Sequence, residues 1–589
     1  MKKKFFYIAM VALALTGCSD SLSTIGSSDG NSEITIPADA EAGELLIKFS
    51  PEMSDILDQA QLSKTRSGKA TRSGIPSTDE VLDILGSYSF ERVFPVDANT
   101  EARTREAGLH LWYTVKFNKG TDLKAAAERL KQLGEISKVQ TNGRIKRAYN
   151  TDSKRIYLSD KALQQKSTRS TAEGEPNDPG FASQWHYRNL GEGNYDFENL
   201  NNNHVGAKAG CDVNALEAWK TCTGDPSIIV AILDEGVMYT HPDLAANMWC
   251  NPGESVQGAQ TDGDGNGYEG DLHGYNFVTE SGDITWTDAN DTGHGTHVAG
   301  TIAAVNNNGI GVSGVAGGDG TPNSGVKIMS CQVFSGQNSV TLAGEARAIK
   351  YAADNGAVIL QCSWGYNSSE SSIINGYTPG PATEKEWAET YPLEKEALDY
   401  FINNAGSPNG VIDGGIPVFA AGNEYAGNPA FPGAYSKCVC VSSVAADYTP
   451  ACYTDFGSLV TLSAPGGDLE YYSKIGEQED EYWAETTEQK GAVLSTMIKN
   501  GQPAYGYMEG TSMACPHVSG VAALGLAYAA KTNRHYRAAD FVALMKKSVK
   551  ELDSHYQNGA TKTYYMNHTT VGASPEIVQL SKYIGKMGA

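Results

Sequence analysis

From about Asp178 to the end of the chain, short and strongly apolar runs alternate with helical stretches. The apolar runs lie at residues 228–233, 326–332, 358–361, 418–421 and 439–444, and helical periodicity marks residues 294–305, 343–353 and 512–530. Strands that are apolar on both faces are typical of parallel sheets covered by helices on each side. The sequence therefore predicts an α/β domain over residues 177–589, with a mainly parallel sheet flanked by helices.

A smaller α+β domain is predicted upstream, over residues 44–147. Its strands are expected at 45–49, 90–95, 109–117 and near Val139, and its helices at 52–61 and 122–133. The order β-α-β-β-α-β is that of a ferredoxin-like domain. A basic loop, residues 64–72, is expected between the first helix and the second strand.

The N-terminus has the features of a targeting segment. Lys2, Lys3 and Lys4 precede a short apolar run that ends in Leu-Thr-Gly-Cys18. This resembles the lipobox of bacterial lipoproteins, which implies a signal peptide over 1–17, a lipid on Cys18 and a membrane anchor. The alternative is an ordinary secretory signal, and both imply export. We expect a location in the cell envelope of a bacterium, on the outer membrane or cell surface.

Residues 18–43 are rich in Ser, Gly, Asp and Ala, which predicts a flexible tether. Residues 148–176 are basic with little apolar periodicity, and we interpret them as a linker open to proteolytic processing. No stretch after the signal is predicted to be a membrane helix.

Charge is distributed unevenly along the chain. The net charge is −23, while residues 171–589 alone hold 21 basic and 48 acidic residues, a net charge of −27. Such an acidic surface disfavours nucleic acid as a partner.

The chain has ten cysteines, so nine remain if Cys18 carries lipid, and at least one is then free or paired between chains. Apolar surroundings predict buried thiols at Cys331, Cys362, Cys438 and Cys440. A bridge between Cys211 and Cys222 stays open.

Three blocks carry residues suited to nucleophilic catalysis. An apolar strand ends at Asp234, a helix begins at His294-Gly-Thr-His297, and Gly-Thr-Ser512-Met-Ala begins another helix. Taken singly, they could be a helix cap, a pair of metal ligands and an N-cap serine. Together they follow the order Asp, His, Ser, which is one of the known orders of a Ser-His-Asp triad.

These blocks and their neighbours resemble the subtilase family, from about Asp178 to the C-terminus. The resemblance implies a secreted serine endopeptidase that cleaves polypeptide substrates through an acyl-enzyme. Ser512 would be the nucleophile, His294 the general base and acid, and Asp234 the group that orients the imidazole. His297 would pack in the core, and Asn423 would share the oxyanion hole with the Ser512 backbone N–H.

The resemblance also implies a substrate cleft. Ser363, Trp364 and Gly365 would pair with an extended peptide, and Ala430 would lie at the floor of the first specificity pocket. A small floor favours an apolar or aromatic side chain before the cleaved bond, which is the preference we expect. Insertions at 366–400, which contains an acidic helix-like stretch, and at 467–492 are predicted on loops, and acidic residues there would instead favour basic substrates. Two other functions stay open: an inactive surface binding protein with this fold, and a maturation protease of narrow specificity.

Calcium is the expected cofactor, at two places. By resemblance, Asp243 and the loop 305–312 would form one site. Residues 262–271 alternate oxygen-bearing side chains with glycine, which suits a hard cation, although a solvated acidic turn is the alternative. The candidate ligands in this loop are Asp262, Asp264, Asn266 and Asp271.

The N-terminal domain resembles subtilase propeptides in its position and in its order of strands and helices. This implies that the enzyme's own propeptide is a partner, acting as chaperone and inhibitor until the chain is cut between residues 148 and 176. The lipid on Cys18 would stay with the prosegment, so the mature enzyme would be held non-covalently or released. The alternative is an unrelated interaction domain.

Overall fold

The computed structural model describes residues 36–37, 40–64, 72–147, 155–167, 174–191, 207–288, 290–374, 378–469, 483–486, 491–552 and 576–578. The predicted signal peptide, Cys18, most of the tether and most of the basic loop lie outside these residues. Residues 470–482 and 487–490 of the second predicted insertion also lie outside them.

The N-terminal region forms an antiparallel sheet with helices. Its strands are β1 (Ala40–Phe49), β2 (Ser89–Arg92), β3 (Trp112–Lys116) and β4 (Ile136–Gly143), and its helices are α1 (Ser54–Lys64), α2 (Pro76–Ile84), α3 (Glu101–Glu106) and α4 (Leu123–Lys131). The strand order β2-β3-β1-β4 confirms the ferredoxin-like arrangement. Helices α2 and α3 were not expected. In α2 only Thr78 and Leu82 are buried, which is too few for an apolar stripe in the sequence.

The rest of the chain contains more strands and helices than the N-terminal region. Its strands are β5 (Arg155–Leu158), β6 (Ile229–Glu235), β7 (Gly274–Asn276), β8 (Lys327–Ser335), β9 (Asn338–Ser339), β10 (Ala357–Cys362), β11 (Ile412–Asp413), β12 (Ile416–Ala420), β13 (Val439–Val444), β14 (Leu462–Pro465), β15 (Trp483–Thr486), β16 (Val493–Lys499), β17 (Gln502–Met508), β18 (Tyr536–Arg537), β19 (Val549–Glu551) and β20 (Glu576–Val578). Its helices are α5 (Asp160–Ser167), α6 (Ala215–Trp219), α7 (His294–Ala303), α8 (Leu342–Asp354), α9 (Ser371–Ile374), α10 (Glu384–Thr390), α11 (Pro392–Asn404), α12 (Thr511–Lys531) and α13 (Ala538–Lys546).

A large parallel sheet organises this region. Its path runs β7-β8-β6-β10-β12-β13-β14, with β20 and β19 continuing at the far edge. Every residue of β6, β10 and β13 is buried, because apolar helices cover both faces. One face packs with α7 and α12, and the other packs with α8 and α11. The predicted α/β fold class is confirmed.

The two strands that flank the central strand β6 both follow it in the chain, but they lie on opposite sides of it. The chain passes from β6 to β8 on one side and later returns to β10 on the other. In open α/β sheets, such a reversal leaves a crevice at the carboxyl ends of the strands, where binding sites form. This places a candidate site just after β6 and β10.

The first predicted insertion is not a loop in its second half. Residues 384–390 and 392–404 form helices α10 and α11, so the expected acidic helix-like stretch is confirmed, whereas its placement on a loop is wrong. Helix α11 buries Leu393, Ala397, Leu398 and Phe401 against the sheet.

Within the segment interpreted as a linker, β5 joins a small sheet in the order β15-β5-β17-β16. Ile156, Tyr157 and Leu158 are buried there. A four-residue strand that is buried throughout leaves no periodicity to detect in the sequence.

Helix α12 is long and apolar enough, by length and composition, to cross a membrane, and it is the one such helix among the described residues. Of its most apolar window, 89% is buried inside the protein. A core helix passes the same test, so its composition is accounted for by packing against the sheet and α7.

The nine cysteines among the described residues form no disulfide with one another, so Cys211 and Cys222 are not bridged. Cys331, Cys362, Cys438 and Cys440 are buried thiols, as predicted. Burial raises the pKa of Cys362 and Cys438 well above the usual range, which keeps these thiols protonated.

Candidate active site

The parallel register brings the three sequence blocks to one edge of the sheet. Leu233 in β6 faces Cys362 in β10, so Asp234 and Ser363 follow side by side at the strand ends. Cys362 also faces Phe419 in β12, so the residues leading to Asn423 leave the sheet at the same edge. The Ser363 hydroxyl donates to the Ser512 carbonyl oxygen at 3.1 Å, which adds the start of α12.

Asp234 and His294 are in direct contact. His294 Nδ1 lies 2.9 Å from Asp234 Oδ1 and 2.8 Å from Asp234 Oδ2, and both side chains are buried. Helix α7 can approach β6 this closely because the next residue is glycine. A Cβ on Gly295 would lie 2.1 Å from the Glu235 carbonyl oxygen. The carboxylate thus orients the imidazole and can stabilise its charged form.

Ser512 lies in the first turn of α12 and is 1% exposed. Its Oγ has no hydrogen-bond partner among the described residues. Catalytic hydrogen bonds are often long in the free enzyme and tighten once substrate binds. The N-terminal end of a 21-residue helix also favours negative charge developing beside the serine.

Asn423 is held in one orientation beside Ser512. Its Oδ1 accepts from the Thr511 backbone N and from Thr511 Oγ1, both at 2.9 Å. A Cβ on Gly510 would lie 3.5 Å from Ser512 N and 3.8 Å from Asn423 Nδ2. Two N–H donors therefore border one small space next to the serine, which is the arrangement an oxyanion hole requires.

The family model described as the subtilase family matches residues 225–565, more than half of the chain. The chain belongs to the subtilase family. Asp234, His294, Asn423 and Ser512 all lie inside the match.

Curated relatives agree with this assignment. Halolysin of Haloferax mediterranei is 30% identical over 315 residues, which cover 54% of this chain and 44% of halolysin. A thermophilic serine proteinase from a Bacillus species is 30% identical over 322 residues, which cover 55% of this chain and 57% of that protein. This subtilase thus spans about half the length of these two relatives.

The crystal structure of fervidolysin from Fervidobacterium pennivorans, a keratinolytic enzyme related to subtilisin, has a TM-score of 0.54 and 18% identity to this chain. It covers 94% of this chain and 62% of fervidolysin. At that identity the likeness shows the fold alone.

The four residues predicted to contact substrate lie together in this subtilase. Trp364 follows Ser363 and packs edge-on against Phe419 at 5.4 Å. A Cβ on Gly365 would lie 3.8 Å from Ala430 Cβ, so Ala430 borders the predicted substrate strand.

His297 lies outside the pair formed by Asp234 and His294. Its Nε2 lies 3.0 Å from the Val493 carbonyl oxygen, and its side chain is fully buried. Burial lowers its pKa to about 3. Its backbone partner is consistent with the packing role that the resemblance implies.

Asp243 lies against the loop 305–312, as expected, and the structure adds Asp178. Asp243 accepts from Asn308 Nδ2 at 2.6 Å and from Val312 N at 2.9 Å. Asp178 accepts from the backbone of the same loop and from Ser313 Oγ. Sequence reasoning missed Asp178, because an aspartate before proline is also a common turn residue.

Both carboxylates are buried, and neither pairs with a Lys or Arg among the described residues. Burial raises the pKa of Asp178 to about 6 and that of Asp243 well above its usual range. Two buried carboxylates that no described Lys or Arg neutralises have the oxygen chemistry that suits a hard cation such as calcium.

The second calcium candidate differs in its members from the expected set. Carboxylate oxygens of Glu254, Asp262 and Asp264 lie within 4.8 Å of one another. Asp271 instead accepts from Tyr351 OH at 2.7 Å, and Asn266 Nδ2 donates to Asp264 and Asp271 at 3.1 Å each. Asn266 and Asp271 thus brace the loop, and Glu254 joins the acidic group from upstream.

A buried pair of carboxyl groups lies behind the substrate strand. Glu345 on α8 and Glu394 on α11 are both fully buried. Glu394 accepts from Tyr366 OH at 3.1 Å and from Trp387 Nε1 at 2.5 Å. Burial raises the pKa of Glu394 to about 7, and burial together with Glu394 raises that of Glu345 well above its usual range.

This pair predicts a specific pH dependence of stability. Because the folded-state pKa values are raised, the folded protein binds more protons than the unfolded chain above about pH 4.5. The stability from these groups is full below that pH and is lost as pH rises through about 7. We expect Glu394→Gln to flatten the fall in the free energy of unfolding between pH 5 and pH 8, measured by urea denaturation. The exposed control Glu389→Gln should follow wild type, and parallel pH curves for wild type and Glu394→Gln would contradict the assignment.

Proposed function

We propose that this subtilase is a serine endopeptidase that hydrolyses polypeptides through an acyl-enzyme. The observation that carries the proposal is the 2.8 Å contact between Asp234 Oδ2 and His294 Nδ1. It lies at the sheet edge where α12 begins, with Ser512 in the first turn of that helix. The two relatives described above support the same class of reaction.

The proposed mechanism assigns one task to each group. An extended substrate pairs with residues 363–365, and Ser512 Oγ attacks the carbonyl carbon while His294 Nε2 takes its proton. Asn423 Nδ2 and Ser512 N–H stabilise the oxyanion. His294 then gives the proton to the leaving amine, and water repeats the sequence to release the acyl group. Asp234 accepts from His294 Nδ1 and stabilises the imidazolium.

A hydrolysis assay tests the proposal. The full-length chain, purified after it has processed itself, should cleave casein, and a fluorophosphonate should abolish the cleavage. Binding of casein without hydrolysis would favour the alternative, an inactive surface binding protein. A peptide library then separates a general protease, which cuts broadly, from a maturation protease, which requires a narrow motif.

We propose that residues 44–147 act as the propeptide. Trp112 Nε1 donates to Glu396 Oε2 on α11 at 2.7 Å, and Lys48 and Lys138 bind the same carboxylate at 2.8 and 3.0 Å. Burial alone would raise the pKa of Glu396, but the two lysines and Trp112 hold it below its usual range. These contacts on α11 support docking of a chaperone and inhibitor, which should weaken in high salt.

We further propose that the chain is made as a lipoprotein. The lipobox-like sequence before Cys18 supports export to the bacterial cell envelope and attachment of lipid there. Processing between residues 148 and 176 would leave the lipid on the prosegment, so salt-dependent docking would decide whether the enzyme stays anchored.

Calcium is proposed as a structural cofactor held by Asp178, Asp243 and the loop 305–312, and by Glu254, Asp262 and Asp264. It would neutralise buried and clustered carboxylates and brace their loops. A ligand that binds only the folded state at about 100 times its Kd stabilises it by about 2.7 kcal/mol.

We therefore expect calcium to raise the melting temperature by about 5 °C over a sample in chelator. The measurement is calorimetry on Ser512→Ala, which cannot digest itself. Asp243→Asn should lose most of the shift, and Asp262→Asn should lose the part from the second site. Equal melting temperatures with calcium and with chelator would contradict both sites.

A further inference from the structure

The segment that leaves the N-terminal domain lies along the predicted substrate cleft. Arg144 forms an antiparallel bridge with Thr341, and Ile145 N donates to the Val340 carbonyl oxygen at 3.2 Å. Two residues later, Arg147 forms an antiparallel bridge with Trp364. This segment therefore runs extended, with its last described residues on the strand that the resemblance assigns to substrate.

The register of the bridge relates this segment to the nucleophile. Because Arg147 faces Trp364 in an antiparallel pair, a substrate bound in the same register would place its next residue opposite Ser363. The Ser363 hydroxyl binds the Ser512 carbonyl oxygen. The bond that follows the substrate residue opposite Ser363 would then lie at Ser512 and be the one cleaved. The substrate residue at the Arg147 position would be the second residue before the cleaved bond.

The Arg147 side chain fills a pocket lined by two acids and one aromatic ring. Its Nε lies 3.4 Å from Glu235 Oε1, and its Nη2 lies 3.8 Å from Asp291 Oδ1. The guanidinium carbon lies 4.8 Å from the centre of the Phe334 ring. The arginine side chain is 11% exposed, and the two carboxylates are 1% and 2% exposed.

The walls of this pocket are fixed by the backbone and adjoin His294. Glu235 follows Asp234 in β6, and its Oε2 accepts from His294 N at 3.1 Å and from Thr292 N at 2.8 Å. Asp291 Oδ1 accepts from Gly336 N at 2.6 Å. The acidic groups therefore hold their positions beside the imidazole rather than moving to meet a ligand.

The chemistry of the pocket favours a cation. Burial and the charge of Glu235 raise the pKa of Asp291 to about 7, so the two acids resist being ionised together without a counter-charge. A guanidinium supplies that charge, and its flat face suits the Phe334 ring. A neutral side chain would leave two buried carboxyl groups without a cation.

We propose that Glu235, Asp291 and Phe334 form a specificity pocket for a basic side chain, arginine above lysine, at the second residue before the cleaved bond. The proposal rests on the endopeptidase function proposed above. It concerns a different position from Ala430, so a small or apolar residue directly before the cleaved bond remains compatible with it. It also makes the prosegment a mimic of substrate, with Arg147 occupying the pocket until processing.

The test uses quenched fluorescent peptides with the sequence of residues 143–150, Gly-Arg-Ile-Lys-Arg-Ala-Tyr-Asn. The fifth residue is Arg, Lys, Gln or Leu, and the enzyme is the full-length chain after it has processed itself, titrated with a fluorophosphonate to count active sites. We expect kcat/KM about 100-fold higher for Arg than for Gln, with Lys between them. Mass spectrometry should place the cut one residue after the varied position.

Variants locate the pocket. In Asp291→Asn the preference for Arg over Gln should fall below about 10-fold, whereas the exposed control Asp283→Asn should keep it. Equal cleavage of the Arg and Gln peptides by wild type, or a cut elsewhere, would overturn the pocket while the endopeptidase function stands. An unchanged preference in Asp291→Asn would also overturn it. No cleavage of any peptide and no fluorophosphonate labelling would overturn the proposed function and this inference together.

Discussion

Replacing Ser512 by alanine is expected to lower kcat by about 10⁶-fold while the protein stays folded. The side chain sits in the first turn of α12, and its Oγ has no hydrogen-bond partner among the described residues, so its removal costs little stability. What is lost is the atom that attacks the carbonyl carbon. The measurement is kcat on a casein-derived peptide, together with the melting temperature.

The same variant tests processing. Wild type should yield two fragments, cut between residues 148 and 176, whereas Ser512→Ala should yield one intact chain. Ser519→Ala, two turns further along α12, is the matched control and should be processed. An intact and active wild-type chain would mean that residues 44–147 are an accessory domain and not a propeptide.

Asp234→Asn is expected to lower kcat by about 10⁴-fold. The asparagine amide has one oxygen where the carboxylate has two, so it cannot accept from His294 Nδ1 in the same way. The amide is also neutral and cannot stabilise the imidazolium. The imidazole then adopts the tautomer with its proton on Nε2, so Nε2 cannot accept the proton of Ser512 Oγ. Because the residues act as a unit, Asp234→Asn should add almost nothing in a chain that already carries Ser512→Ala.

Peptide hydrolysis over a pH series measures this effect. Asp212→Asn is a suitable control, since Asp212 is also buried and accepts from backbone N–H groups of Asn189 and Asn214. That variant should lose stability and keep its kcat per active site. A loss in Asp234→Asn of less than about 10-fold would mean that another group orients His294.

The parallel sheet could be predicted from the sequence, because strands that are buried on both faces consist of unbroken runs of apolar residues. The prediction for residues 228–233 differs from β6, Ile229–Glu235, by no more than two residues at either end. The order of Asp234, His294 and Ser512 was also readable, since each stands at the start or end of an element that the sequence marks.

Features that depend on two side chains from different elements coming together in space could not be predicted from the sequence. Glu345 and Glu394 lie on different helices, and each alone has the appearance of an ordinary surface acid. Asp178 and Asp291 likewise acquire a role only from segments that lie far from them in the sequence, and Glu254 acquires one from the following loop that holds Asp262 and Asp264.

The pocket around Arg147 shows the same limit. The sequence marked Arg147 as one basic residue of many before the processing segment. Only the bridge to Trp364 and the contacts with Glu235 and Asp291 distinguish it.

Peptide mapping of a fluorophosphonate adduct tests the central claim most directly, because the reagent reacts only with a serine activated by a base and an oxyanion hole. We expect one adduct per wild-type chain, on the peptide that contains Ser512, and none in Ser512→Ala. An adduct on any other residue, or full labelling that persists in Ser512→Ala, would contradict the assignment of Asp234, His294 and Ser512 as the triad.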